Sequence, residues 1–158
     1  MTISFYKYQG TGNDFVMIDN RNLALDKTDI SLAKKLCDRK FGIGADGLIL
    51  IENHPELDFE MVYFNADGTQ SFCGNGSRCA VAFAHKLGMI GESTSFIAID
   101  GIHQAIIQDE KVELKMGDVS SVEKSETFFF IHTGSPHYIE YRTNVSEIDL
   151  ISEAQQIR

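Results

Sequence analysis

Positive charge is scarce in this chain. Fourteen lysines and arginines stand against 23 aspartates and glutamates in 158 residues, a formal net charge of −9. Nucleic-acid binding needs a basic patch, so this balance argues against such a partner. It leaves small anions open, because a local cradle of N–H groups can hold an anion on an acidic protein. Long apolar runs are missing too: no stretch of about twenty such residues occurs, which excludes a membrane-spanning helix. The first residues, Met1-Thr2-Ile3-Ser4-Phe5-Tyr6-Lys7-Tyr8, show no basic segment leading into an apolar core, so they do not read as a signal peptide. Cysteine is sparse. Cys37, Cys73 and Cys79 are an odd number with no Cys-x-x-Cys spacing, so neither a disulfide framework nor a zinc site is expected. Reduced thiols in a cytoplasmic setting are the expectation. What the chain does have is an ordinary apolar share, 43%, enough for a real core.

Strand signals dominate what is present. Short runs rich in β-branched and aromatic residues predict strands at Ile3–Tyr8, Phe15–Asp19, Leu48–Glu52 and Phe59–Phe64. Two helices interrupt them. The first spans about Ile30 to Arg39, capped by Asp29, with Leu32, Ala33, Leu36 and Cys37 at helical spacing and Gly42 past its end. The second starts at Asn75 or Gly76 and reaches about Leu87, with Gly88 as its stop. Ser95–Asp100, Ile102–Gln108 and Lys111–Met116 then read as an antiparallel meander turned at Asp100-Gly101 and Asp109-Glu110. The pattern breaks in the polar stretch Val119 to Glu126, dividing the chain into domains 1–117 and 118–158. Beyond it lie strands at Thr127–His132 and His137–Arg142, and a helical run from Ile148 to Arg158 with no closing signal, so the chain reads as cut short. The class is α+β: a mostly antiparallel sheet curled around the helix that follows Cys73.

Chemistry concentrates at Phe72-Cys73-Gly74-Asn75-Gly76-Ser77-Arg78-Cys79. A thiol at a helix N-terminus faces unpaired backbone N–H groups and the positive end of the helix dipole, both of which stabilise a thiolate. The same N–H groups can hold a carboxylate. Base and anion cradle would then sit side by side, as removal of a proton next to a carboxylate requires. From spacing alone, a cysteine before a helix is either reactive or simply packed, and the small flanking residues favour substrate access. Cys79 lies on the helix's apolar stripe and Cys37 on the buried face of the first helix, so both read as core.

Other features have plainer readings. Gly42-x-Gly44-x-x-Gly47 formally matches a dinucleotide fingerprint, but a helix precedes it and a strand follows, the reverse of what that motif needs. A tight helix-to-strand connection is expected instead. Asn13 and Asn65 sit at strand-to-turn junctions, where asparagine commonly serves the turn itself. His132 and His137 flank Thr133-Gly134-Ser135-Pro136 with no metal-ligand spacing. No metal and no cofactor is expected.

Three separated blocks carry a resemblance. Gly10-Thr11-Gly12-Asn13-Asp14-Phe15, Gly42-Ile43-Gly44-Ala45-Asp46-Gly47 and Phe64-Asn65-Ala66-Asp67-Gly68 leading to Cys73-Gly74-Asn75-Gly76-Ser77-Arg78-Cys79 resemble the N-terminal half of the diaminopimelate epimerase family, in order and spacing. The resemblance implies a two-lobed β/α roll and cofactor-free inversion of one carbon of diaminopimelate by two cysteines, one from each lobe. It implies that Cys73 is one of them and that the other lies beyond Arg158, so that this chain alone is inactive. It makes Asn13, Asn65, Gly74 and Asn75 substrate-binding residues and His137 a helper in ionising a catalytic cysteine. Ser135 departs from the family, where an asparagine often touches substrate; serine keeps the donor and acceptor but reaches less far. The implied partner is a small molecule, and a homodimer stays open. Two other classes remain beside it: a non-catalytic amino-acid-binding module, and a thiol-nucleophile enzyme pairing Cys73 with His137. Within the isomerases, a related cofactor-independent racemase is the nearest rival.

Overall fold

The computed structural model describes residues 2–157. It divides into two compact units, Met1–Asp118 and Val119–Arg158.

In the first unit the described residues form one seven-stranded sheet in sequence order. Its strands are β1 (Tyr6–Gly10), β2 (Asn13–Asp19), β3 (Gly47–Glu52), β4 (Phe59–Asn65), β5 (Ser93–Ala98), β6 (Gly101–Gln108) and β7 (Lys111–Leu114). The β2–β3 and β4–β5 pairs are parallel and the other neighbours antiparallel. Helix α1 (Ile30–Cys37) makes the first parallel crossover and α2 (Gly74–Lys86) the second.

The alternation of strand side chains explains the layering. Phe15, Met17, Ile49, Ile51, Met61 and Tyr63 point to one face and pack with Cys79, Ala80, Phe83 and Ala84 of α2. Val16, Ile18, Leu48, Leu50, Val62 and Phe64 point to the other and pack with Ala33 and Cys37 of α1. Central β3 is therefore buried on both faces, which is why it reads as an unbroken apolar run. Helix α2 also touches both ends of the sheet. Tyr6 and Tyr8 of β1 lie 5.0 and 5.6 Å from the Phe83 ring, while Val112 and Leu114 of β7 pack on the same cluster. A sheet whose two edges meet one helix must curl around it.

Several boundaries differ from the sequence reading, each for a local reason. β1 begins at Tyr6 instead of Ile3 and runs on to Gly10, because Thr11 and Gly12 form a turn of positive φ that pairs Gly10 with Asn13. α1 stops at Cys37 instead of Arg39. Asp38 takes an extended ψ of 122°, and its carboxylate accepts from the N–H groups of Lys40 and Phe41, both at 2.7 Å. The Asp29 cap is as expected, accepting from Ser31 N at 3.0 Å. α2 starts at Gly74, a residue or two early, with Cys73 itself as the N-cap.

In the second unit a three-stranded antiparallel sheet orders as β10–β9–β8, from β8 (Val122–Lys124), β9 (Phe129–His132) and β10 (Pro136–Ile139). A 3-10 turn at Val145–Glu147 and helix α3 (Leu150–Ile157) follow. β8 falls in the polar stretch from which the sequence reading expects no strand. Its three residues are all exposed, so no apolar alternation marks it.

Candidate functional site

The site is built where β2, β4 and α2 converge. The Cys73 backbone is extended, and its sulfur takes the N-cap position, accepting from Gly76 N–H at 3.3 Å. This is the role serine or aspartate usually plays, so the sulfur sits in the concentrated field of the first helical turn. The N–H groups of Gly74 and Asn75 belong to that turn and have no intrahelical acceptor. Close packing holds the turn in place. A Cβ on Gly76 would come within 3.2 Å of Ile49 Cδ1 and 3.3 Å of Met61 Cε. The Asn75 side chain is gripped by Arg78, whose guanidinium donates to its Oδ1.

Asn13 faces the sulfur from the start of β2. Its Oδ1 lies 3.7 Å from Cys73 Sγ and accepts from the thiol. The amide cannot turn freely, because Asn13 Nδ2 donates to Asp46 Oδ2 at 2.8 Å. Asp46 is itself tied to Arg39 at 2.7 Å, and Arg39 reaches Asp14 at 2.8 Å, with Lys7 on Asp14 at 2.7 Å. The Arg39 hydrogen bond, aided by Lys7, holds the Asp14 carboxyl well below the usual carboxylate range.

Asn65 approaches from the end of β4. Its Nδ2 donates to Thr69 Oγ1 at 3.0 Å and to Ser71 Oγ at 3.3 Å, and its Oδ1 accepts from Tyr63 Oη at 2.7 Å. Tyr63 also contacts Cys73, so its phenol joins the asparagine to the thiol. Burial, followed by the negative charge that Cys73 would carry, pushes this phenol above its ordinary range.

The other two thiols are elsewhere. Cys37 and Cys79 are 3% and 5% exposed, and burial pushes each up to about 11. All three cysteines are free. The glycines before β3 serve packing: a Cβ on Gly42 would lie 2.1 Å from Lys35 O, so helix α1 and its exit loop can close only over glycine. Among the described residues no group of three or more His, Cys, Asp or Glu side chains could hold a metal ion, and no helix is long and apolar enough to cross a membrane.

A family model described as diaminopimelate epimerase matches residues 5–122. The chain belongs to the diaminopimelate epimerase family. It is 52% identical to the diaminopimelate epimerase of Flavobacterium psychrophilum, over 99% of this chain and 62% of that protein. The Campylobacter jejuni enzyme of the same name is 41% identical over 93% of this chain and 60% of its own length. The Aquifex aeolicus one is 36% identical over 99% and 63%. The chain thus spans about three fifths of these relatives. Among solved structures, a PhzF-family phenazine biosynthesis protein of Bacillus anthracis superposes with a TM-score of 0.70 at 13% identity, covering 89% of this chain and 56% of that one. A hydroxyproline epimerase of Agrobacterium vitis gives 0.67 at 14%, covering 95% and 56%. Both share the fold, as the family's β/α roll requires.

Of the family residues singled out in the sequence, Cys73, Asn13, Gly74 and Asn75 come together in the first unit, with Asn65 joined through Tyr63. Ser135 and His137 lie in the second, where Ser135 O accepts from Thr133 N at 3.0 Å and His137 Nε2 is 2.9 Å from Thr133 Oγ1. Sequence reasoning missed Tyr63, Asp46, Arg39 and Arg78. Asp46 stands inside a quoted motif, and its pairing with Asn13 follows once β2 and β3 are known to run in parallel. Tyr63 gives no signal, since in an apolar strand it reads as core.

Proposed function

We propose that this chain supplies one catalytic face of a cofactor-independent epimerase that interconverts LL- and meso-diaminopimelate, a step toward lysine and peptidoglycan precursors. Cys73 is its proton-transfer group. The observation that carries this reading is the sulfur's place as N-cap of α2, 3.3 Å from Gly76 N and beside the free first-turn N–H groups.

In the direction that starts at Cys73, the thiolate removes the α-proton and becomes a thiol, and the C–H electron pair stays on carbon. A thiol on the opposite face then gives its proton to that carbon and becomes the thiolate. Charge and atoms balance without a redox step, and in the reverse direction the two groups exchange roles. The N–H groups of Gly74 and Asn75 hold the α-carboxylate as negative charge spreads into it. Each such donor contributes roughly 3 kcal/mol in a dry site. Asn13 and Asn65 present amide groups to the ammonium and carboxylate, Ser135 adds a hydroxyl, and His137 assists ionisation of a cysteine.

The opposing thiol comes from polypeptide outside these residues. Cys37 and Cys79 are enclosed by core side chains and held as thiols. The purified chain alone is therefore expected not to invert diaminopimelate.

The test is α-proton exchange of diaminopimelate in D₂O, followed by NMR, with the chain complemented by the C-terminal part of a relative. Cys73→Ser is expected to slow exchange by about 10³-fold, the usual range for loss of a general base. Undiminished exchange in that variant overturns the assignment. Binding without exchange, unaffected by Cys73→Ser, would favour the amino-acid-binding module.

A further inference from the structure

Tyr63 is buried at 7% exposure, with its ring edge-on to Phe15 at 6.0 Å. Its hydroxyl reaches the site only because Gly47 of β3, which pairs with Asn65 two residues along the ladder, has no side chain: a Cβ there would lie 2.5 Å from Tyr63 Cε2 and 3.1 Å from Oη. The hydroxyl has a single proton and two neighbours that can take it. One is Asn65 Oδ1 at 2.7 Å, which must face Tyr63 because Thr69 and Ser71 hold the amide nitrogen. The other is Cys73.

Ionising Cys73 changes what the sulfur needs. As a thiol it donates to Asn13 Oδ1 and accepts from Gly76 N–H. As a thiolate it has no proton to give, and a carbonyl oxygen beside it becomes repulsive. Asn13 cannot present its nitrogen instead, because Asp46 holds that nitrogen at 2.8 Å. A group able to change its orientation must supply the missing donor.

We propose that the Tyr63 hydroxyl is that group, a rotating donor that serves Asn65 while Cys73 is a thiol and turns to the sulfur when Cys73 becomes a thiolate. Tyr63 is thus a positioning residue. It keeps its own proton throughout, and only the direction of its O–H bond changes. Each cycle would couple the charge on the sulfur to the hydrogen bonding of Asn65. The charged and titratable groups near the sulfur are Tyr63 on β4 and Cys79 on α2, with Arg78 acting on Cys79 and bonded to Asn75, and Asp46 acting through Asn13. Tyr63→Phe changes only the first. Any consequence for turnover rests on the function proposed above; the contact itself does not.

The experiment is alkylation of the folded chain by iodoacetamide from pH 5 to 10, with the Cys73 peptide quantified by mass spectrometry. Tyr63→Phe removes one oxygen and keeps the ring. Its profile is expected to move to higher pH by about one unit, and its rate at pH 7 to fall about tenfold, as for one lost hydrogen bond to a charged group. Superimposable profiles overturn the proposal. If the variant exposes Cys37 and Cys79 to the reagent, and so is not folded, the decision passes to wild-type chain carrying 3-fluorotyrosine at its five tyrosines. The more acidic phenol is the stronger donor, so the profile then moves to lower pH; an unmoved profile overturns the proposal. A shifted profile together with absent α-proton exchange sinks the proposed function and leaves Tyr63 as the donor to Cys73.

Discussion

β3 and β10 are both short strands, yet each residue of β3 is buried and each residue of β10 is exposed. The contrast extends to whole units. In the first, helices cover both faces of the central strands, and fully buried rings such as Phe15, Phe59, Phe83 and Phe96 fill the layers. In the second, no described residue is buried, and Leu150 and Ile151 of α3 are 70% and 73% exposed. Backbone pairing is complete enough in both to define strands. The difference teaches that hydrogen-bonded ladders alone do not make a core. Side chains must be covered from both sides before burial contributes its few kcal/mol per large residue.

Hydrogen exchange should widen this contrast most. Amides of β3 are expected to exchange about 10⁴-fold more slowly than those of β8 to β10, since the former open only with the whole unit. Equal protection in native-state exchange read by NMR would break the comparison. A smaller effect comes from core truncation. Phe83→Ala removes a ring packed against Tyr6 and Tyr8 and should cost about 4 kcal/mol in urea unfolding. Phe130→Ala, on half-buried β9, should cost under about 1 kcal/mol. Comparable losses would mean that the second unit has a core of its own. The smallest effect is electrostatic. Asp14 is held below the usual carboxylate range, so its stabilisation is present above that range and is lost as pH falls through it toward the folded value. Asp14→Asn should therefore flatten the acid limb of a stability–pH curve by about 1 kcal/mol, a figure reduced because Arg39 and Lys7 are partly exposed. A limb of unchanged slope would show that the Arg39–Asp14 pair contributes nothing.

Legibility in the sequence follows the same divide. β3 announces itself as Leu48-Ile49-Leu50-Ile51, and α2 by its small-residue start and apolar stripe, because burial wrote both patterns. Cys73 could be singled out because a helix N-terminus is a local feature. β8 could not, since an exposed three-residue strand needs no particular side chains. Asp46 and Tyr63 were hidden for another reason. Their roles depend on register: Asp46 reaches Asn13 because β2 and β3 run in parallel, and Tyr63 fits because the residue paired with neighbouring Asn65 is Gly47, which leaves room for its ring. Non-local pairing of that kind leaves no trace in spacing along the chain.

The curl of the sheet around α2 also has a kinetic meaning. Tyr6 from the start of the first unit and Leu114 from its end rest on the same cluster as the helix. No partial set of strands encloses α2, so the chain must bring its most distant segments together before the helix loses its water. The strands pair with their neighbours in sequence, so the ladder can grow locally, but full burial of the helix waits for closure of the whole span.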